Sequence, residues 1–383
     1  MTTLARTHVA ARRNVPPFDL ILLIATLLVS IIGVVMVYTA TRGSLLAQGE
    51  DPKTFLKKQG LFVLLGVITM VVVALIDYRR LESVATILYW LIVVALLGVF
   101  VAGSSAQGAA RWFSLGPLQL QPSEFAVLAL ILAVASYCAR RQEEGLAWRD
   151  VFRLLIMAGI PIVLVLLQPD LGTAMIMVIV LLVMLAVAGL PIRILVMLLV
   201  ATVLVAVVAV EGGLLHHYQI ARLTTFLNPN SHSTNPYVQS AIYNTQQAKN
   251  AIGSGGLFGS GIGHGVETNL GYVPEQQTDF IFTAVAEQLG FFGSVGLLVL
   301  LGVIAWRVLH AAVVSRDIFG RLICSGLFAF IAFSVFQNAG MTMGIMPITG
   351  IPLPFVSYGG TAVIVFFTAI GLSLSVGARR RFR

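Results

Sequence analysis

Acidic residues are scarce in this chain, so each one at the edge of an apolar run is a candidate for chemistry. The stretch Tyr272–Phe282, YVPEQQTDFIF, carries Asp279 to the start of a long apolar helix. A carboxylate there stands at a water–membrane boundary, reachable by a polar substrate and partly desolvated. A charge at a bilayer centre costs about 3 kcal/mol or more on insertion scales, so acids near membranes are candidates for function. The competing reading is a helix cap, because Thr278 and Asp279 are both good N-cap residues for a helix beginning at Phe280. Cations accompany a glycine cluster in the preceding loop: Arg222 and Lys249 lie with Gly253, Gly255, Gly256, Gly259, Gly261, Gly263 and Gly265. Backbone N–H groups in such turns can cradle an anionic headgroup. Flexible turns and solvated rim charges are the plainer alternative. The cluster is neither a dinucleotide fingerprint nor a P-loop, since no strand precedes it and no Gly-Lys-Ser/Thr follows.

Other charged residues have simpler expectations. Asp170, in QPDLGT at Gln168–Thr173, is expected to cap the helix that follows a tight turn. Glu124 follows Gln121-Pro122-Ser123, where an acid complements the helix dipole. Glu287 stands eight residues beyond Asp279, about 12 Å along a helix, and must be paired, hydrated or protonated there. His216, His217, His232 and His264 lack the spacing of a zinc hydrolase. Cys138 and Cys324 lie in apolar runs and form neither a disulfide framework nor a metal motif.

The elements that must position these residues are membrane helices. With 58% hydrophobic and 10% charged residues among 383, the chain has too little polar surface for a soluble domain. Ten apolar spans are expected, at about 20–40, 60–76, 84–102, 122–139, 154–167, 171–190, 194–210, 280–306, 322–339 and 362–376. Arg42, Lys53, Lys57, Lys58, Arg111, Arg222 and Lys249 fall on one side and the other 17 of the 24 basic residues on the side of the termini. By the positive-inside tendency both termini are cytoplasmic, and the net charge of +8 has this topological cause rather than a nucleic-acid partner. Asp279, Asp170, Glu124 and Arg111 then share the outer face with the long segments Gly103–Gln121, Glu211–Gln277 and Met341–Gly360. Within the large loop, Pro236–Ile252 is either a short helix lying on the bilayer or a connector. Asn338–Gly360 holds three prolines and several glycines between two spans. Irregular backbone at that depth must line a cavity or pack inside protein, so a re-entrant pocket wall is expected.

Asn338–Gly360 closely resembles the signature of the SEDS family (shape, elongation, division and sporulation). QPSE at Gln121–Glu124, QPDLGT, the glycine run GSGGLFGSGIGHG and PEQQTDFIF also match. The run Gly263-His264-Gly265, with Glu267-Thr268 and Leu270-Gly271, looks more like the elongation branch than the division branch.

The resemblance implies a peptidoglycan glycosyltransferase that polymerises lipid II on the outer face of the bacterial cytoplasmic membrane. It also implies a class B penicillin-binding protein transpeptidase and other elongation-complex proteins as partners. The family's catalytic aspartate falls on Asp279. Arg111, in Ala110-Arg111-Trp112, matches a family feature and is a substrate-binding candidate, with Arg222, Lys249, Glu124 and Ser357. The family's lysine three residues after the QPSE glutamate is replaced here by Val127, so Glu124 lacks that partner. The reaction admits a divalent cation, Mg or Mn, on the pyrophosphate, although no ligand set is visible, and it calls for no organic cofactor. The expected architecture is all-α and polytopic: an arm at 1–17, a ten-helix membrane domain at 18–377 with a large loop at 211–277, and a basic tail at 378–383. A lipid flippase or a non-catalytic scaffold are the competing classes, and the one-sided clustering of acids and loops favours an enzyme.

Overall fold

The computed structural model describes residues 18–106, 109–115, 118–141, 146–213, 217–228 and 233–379. The expected arm at 1–17, the end of the basic tail at 380–383, and His216 and His232 lie outside the described residues. Helices α1 (Leu20–Ala47), α2 (Thr54–Leu75) and α3 (Tyr78–Ala102) come first. A small antiparallel sheet follows, of β1 (Ser104–Ala106), β2 (Ala109–Leu115) and β3 (Leu118–Leu120) in the order β1-β2-β3. Then come α4 (Pro122–Arg140), α5 (Trp148–Leu167), α6 (Leu171–Val187), α7 (Ile192–Glu211), α8 (His217–Leu227), α9 (Pro236–Ser254), α10 (Val266–Leu270), α11 (Ile281–Val313), α12 (Ile318–Met343) and α13 (Gly360–Ala378).

Among the described residues nine helices are long and apolar enough to cross a membrane: α1 to α5, α7, α11, α12 and α13. The tenth expected span is α6, which stops at Val187 rather than Leu190. Gly189 takes a positive φ of 94°, and Pro191, in extended conformation, is the N-cap of α7, so the chain turns between the two helices. Four helix starts are set by carboxylate caps. Asp19, Asp77, Asp170 and Asp317 each accept a backbone N–H in the first turn of α1, α3, α6 and α12.

Helices α4, α12 and α13 are mostly enclosed and form the centre of the bundle, whereas α7 has no buried residue. α13 lies along α2, with Gly66 facing the Phe367 ring and Gly371 facing the Met70 carbonyl. Small residues of this kind let membrane helices approach closely, because lipid leaves packing rather than hydrophobicity to hold them together.

Three regions differ from the sequence expectation. Gly103–Gln121 contains a sheet, which the sequence does not reveal because β1 and β3 have three residues each and β2, AARWFSL, does not alternate apolar and polar. The Pro236 segment is the full helix α9, and it packs on α8, α11 and α12 through buried Ala241, Ala248 and Ala251. Helix α11 is broken at Gly290, with φ 68° and ψ −165°.

Candidate active site

The turn before α11 fixes Asp279. Glu275 takes a left-handed φ of 50°, and its carbonyl accepts N–H bonds from Thr278 at 3.2 Å, Asp279 at 3.1 Å and Phe280 at 3.4 Å. Such strain in a non-glycine residue persists only where the surroundings enforce it. From α12, the fully buried Asn338 donates Nδ2 to the carbonyls of both Asp279 and Ile351, each at 2.8 Å. One amide therefore ties the Asp279 turn to the irregular segment after α12. Tyr358 N–H adds a bond to the Gln277 carbonyl at 2.8 Å.

The Asp279 carboxylate does not cap α11. The N-cap residue is Phe280, which makes no side-chain cap bond. Among the described residues no hydrogen bond reaches this half-buried carboxylate. Gly350, at φ +76°, leaves a recess in front of it. A Cβ there would stand 3.2 Å from Asp279 Oδ2 and 3.8 Å from Arg222 Nη1, so the acid and the guanidinium face one small space without forming an ion pair. Burial pushes the Asp279 pKa above the ordinary carboxylate range. Arg222 opposes that rise, Glu275 adds to it, Arg111 opposes it and Asp170 adds to it. A carboxyl held up in this way is a stronger proton acceptor once it ionises.

Arg111 and Arg222 meet through Tyr218, which the sequence did not single out. From β2, Arg111 donates Nε to Gln168 O at 2.9 Å and Nη2 to Pro169 O at 2.7 Å and Tyr218 Oη at 2.8 Å. The Tyr218 hydroxyl donates to Pro169 O, and the Arg222 guanidinium lies 5.3 Å from the centre of the Tyr218 ring. Arg111 is thus committed to the QPDLGT turn, while Arg222 rests on an aromatic face with its charge turned toward the recess.

Asp170 performs the expected cap, accepting Thr173 N at 3.1 Å, and also accepts Gln121 Nε2 at 3.1 Å and Ser123 Oγ at 3.0 Å. The QPSE and QPDLGT motifs therefore lock to each other. Glu124 leaves Oε2 buried without a hydrogen-bond partner among the described residues, and Val127, where the family has its lysine, is 1% exposed in packed protein.

The remaining candidates lie elsewhere. Lys249 is exposed, with Nζ against Gly344 at the end of α12, and it is not among the charges that act on Asp279. It complements the negative end of that helix. Ser357 is 2% exposed; its Oγ accepts Leu353 N at 2.8 Å and its carbonyl accepts Gln59 Nε2 at 3.2 Å. That gives Ser357 an internal task, holding the turn of the re-entrant segment, rather than a place at the recess.

The glycine loop spends its N–H groups on the break in α11. Ser260 N bonds Glu287 O at 2.9 Å, Gly261 N bonds Gln288 O at 3.0 Å and Gly263 N bonds Gln288 Oε1 at 2.9 Å. In return, Gly256 O and Leu257 O accept Phe291 N and Phe292 N. The anion-cradle reading of these glycines gives way to one in which they mend an interrupted helix. Glu287 is buried and satisfied, accepting Glu267 N at 2.8 Å, Thr268 N at 3.0 Å and Thr268 Oγ1 at 2.5 Å.

With this geometry in view, comparison with known proteins places the chain. The FtsW/RodA/SpoVE model, described as cell cycle protein, matches residues 19–381. The peptidoglycan glycosyltransferase MrdB of Escherichia coli (strain K12) is 37% identical over 88% of each chain. A probable peptidoglycan glycosyltransferase FtsW of Geobacter sp. (strain M18) is 34% identical over 96% of this chain and 99% of its own. A solved chain from work on the structural coordination of polymerization and crosslinking by a peptidoglycan synthase complex superposes with a TM-score of 0.77. It is 31% identical and covers 94% of this chain and 97% of that one. This all-α polytopic chain, with its QPSE, QPDLGT and PEQQTD motifs, belongs to the SEDS family, that of FtsW, RodA and SpoVE.

Proposed function

We propose that this chain is a peptidoglycan glycosyltransferase that polymerises lipid II. The observation that carries this reading is the Asp279 carboxylate, which does not cap α11 and has no partner among the described residues, facing Arg222 across the recess over Gly350. An acceptor sugar hydroxyl has a pKa far above 7 and needs a base as it attacks. Asp279 takes that proton while the oxygen bonds to the anomeric carbon of the donor and the bond to the pyrophosphate oxygen breaks, with inversion. The pyrophosphate leaves as an anion, and Arg222 is placed to stabilise it. Purified protein incubated with labelled lipid II tests the reading. Glycan polymer is expected, whereas a flippase or scaffold yields none.

A divalent cation fits this site in one way. Among the described residues no three His, Cys, Asp or Glu side chains converge, but Mg is commonly held by one or two carboxylates together with substrate phosphates and water. Mg or Mn would be held by pyrophosphate oxygens and water beside Asp279, which stays free to take the proton, and the ion would offset leaving-group charge. Polymer formation unchanged in excess chelator removes the ion from the reading.

The elongation branch is favoured by the Gly263–Gly271 run, and it brings with it a class B transpeptidase partner and other elongation proteins. The chain that superposes here comes from a synthase complex, which supports a partner of that kind. The basic residues support cytoplasmic termini and an outward site. A cysteine at Ser233 should then react with an impermeant thiol reagent in intact cells and one at Ala147 should not; the opposite pattern inverts the topology.

Arg222→Ala is expected to reduce lipid II turnover at subsaturating substrate by roughly one to two decades, because a charge-assisted hydrogen bond is worth about 1.5–3 kcal/mol. Lys249→Ala should change it little. Equal, small effects at both positions would place the headgroup away from the recess.

A further inference from the structure

The loop that mends the break in α11 turns its apolar side chains outward. Phe258 is 80% exposed, and Leu257, Ile262, Phe291 and Phe292 are exposed around it. The Phe258 ring lies 5.4 Å from that of Phe292, which lies 5.7 Å from that of Phe291, so two rings of α11 and one of the loop form a continuous aromatic patch.

Helix geometry places this patch at membrane depth. Trp306 is exposed and followed by Arg307, the pairing found where a helix leaves the hydrocarbon. From Phe292 to Trp306 a straight helix rises about 21 Å, and less along the membrane normal if tilted. The hydrocarbon core is about 30 Å thick. Phe292 therefore falls short of the opposite boundary, and Phe258 stands beside it.

Irregular backbone at such depth is expelled unless its polar groups are satisfied. Here the N–H groups of Gly259, Ser260, Gly261 and Gly263 and the carbonyls of Gly256 and Leu257 are bonded within the protein. Outward apolar side chains on a loop with these six polar groups bonded to the protein are compatible with acyl chains.

We propose that the Phe258 loop is inserted in the lipid leaflet on the loop-bearing face, where Phe258, Phe291 and Phe292 contact acyl chains. The insertion fixes the height of the first segment of α11, and with it of Asp279. The patch projects instead of lining a recess, which suits a fluid partner better than a fitted one. Insertion of the loop does not depend on a catalytic role for Asp279.

The test places a nitroxide on Phe258→Cys, and separately on Ile262→Cys, in the full chain reconstituted in phosphatidylcholine–phosphatidylglycerol nanodiscs. Cys138 and Cys324 are buried and stay in place, with the labelled parent as background control. Collisions with oxygen should exceed those with a water-soluble nickel chelate several-fold at both positions. Dominance of the nickel chelate would show that the loop stands in water, and low collision with both would show that protein, a second copy or another chain, covers it; either overturns the proposal. Should one variant fail to melt cooperatively, the other carries the result.

Discussion

Asp279→Asn is expected to lower glycan polymerisation by at least about 10²-fold, the lower end of what general-base catalysis contributes. Asparagine keeps the shape of the side chain and its ability to cap, but it cannot take a proton. A cap would predict near-normal turnover, since Asn caps about as well as Asp. The geometry speaks against the cap: Phe280 is the N-cap of α11 and makes no side-chain cap bond, and among the described residues no hydrogen bond reaches the Asp279 carboxylate. Melting and lipid II binding should change little, as neither property depends on a bond that the substitution removes.

The same reading fixes a pH dependence. Burial holds the Asp279 pKa above the ordinary range, and the base works only when ionised. Wild-type rate should therefore rise with pH through that raised value and fall below it, where the carboxyl is protonated. Arg222 opposes the rise in pKa, so Arg222→Ala should move the limb to still higher pH. A flat profile in both proteins, or near-equal rates for wild type and Asp279→Asn, would sink the assignment.

What the sequence made legible was the part governed by composition and motif. Ten apolar runs, the capping of α6 by Asp170 and the exceptional position of Asp279 follow from local rules of length, dipole and desolvation. Residues that act across the chain were not legible. Asn338 sits at the edge of an apolar run, and only the fold shows that it bonds carbonyls of two separate segments. Tyr218 had no signal, because stacking under Arg222 depends on where α8 lands.

Candidates chosen by charge alone fared unevenly for the same reason. Arg222 reaches the recess, Arg111 reaches a turn beside it, and Lys249 covers the end of another helix. Glu287 illustrates the converse: the sequence showed that it needed partners, and the structure supplies them from Glu267 and Thr268 of the short α10 rather than from a cation.

Gly290→Ala is expected to destabilise the protein by more than about 4 kcal/mol, in the tail of point substitutions where a special backbone conformation is lost. At φ 68° and ψ −165° this residue occupies a region that is essentially restricted to glycine. An added Cβ would lie 2.3 Å from Gly259 N and 2.7 Å from the Leu257 carbonyl, backbone atoms that cannot swing aside. Relief requires the glycine loop to withdraw from α11. That breaks the bonds from Ser260 N to Glu287 O and from Gly261 N to Gln288 O and strands those groups at membrane depth. It would also free the segment that begins just after Asp279, so activity should be lost along with stability. Gly296→Ala, six residues further along the same helix, is the matched control: nothing lies within 4 Å of its Cβ position, and alanine there should be neutral or stabilising by up to about 1 kcal/mol. Thermal melting of the two variants in the same detergent or nanodisc decides the matter. If Gly290→Ala melts with wild type and Gly296→Ala, the helix tolerates an uninterrupted backbone, and the break does not hold the Asp279 turn in place.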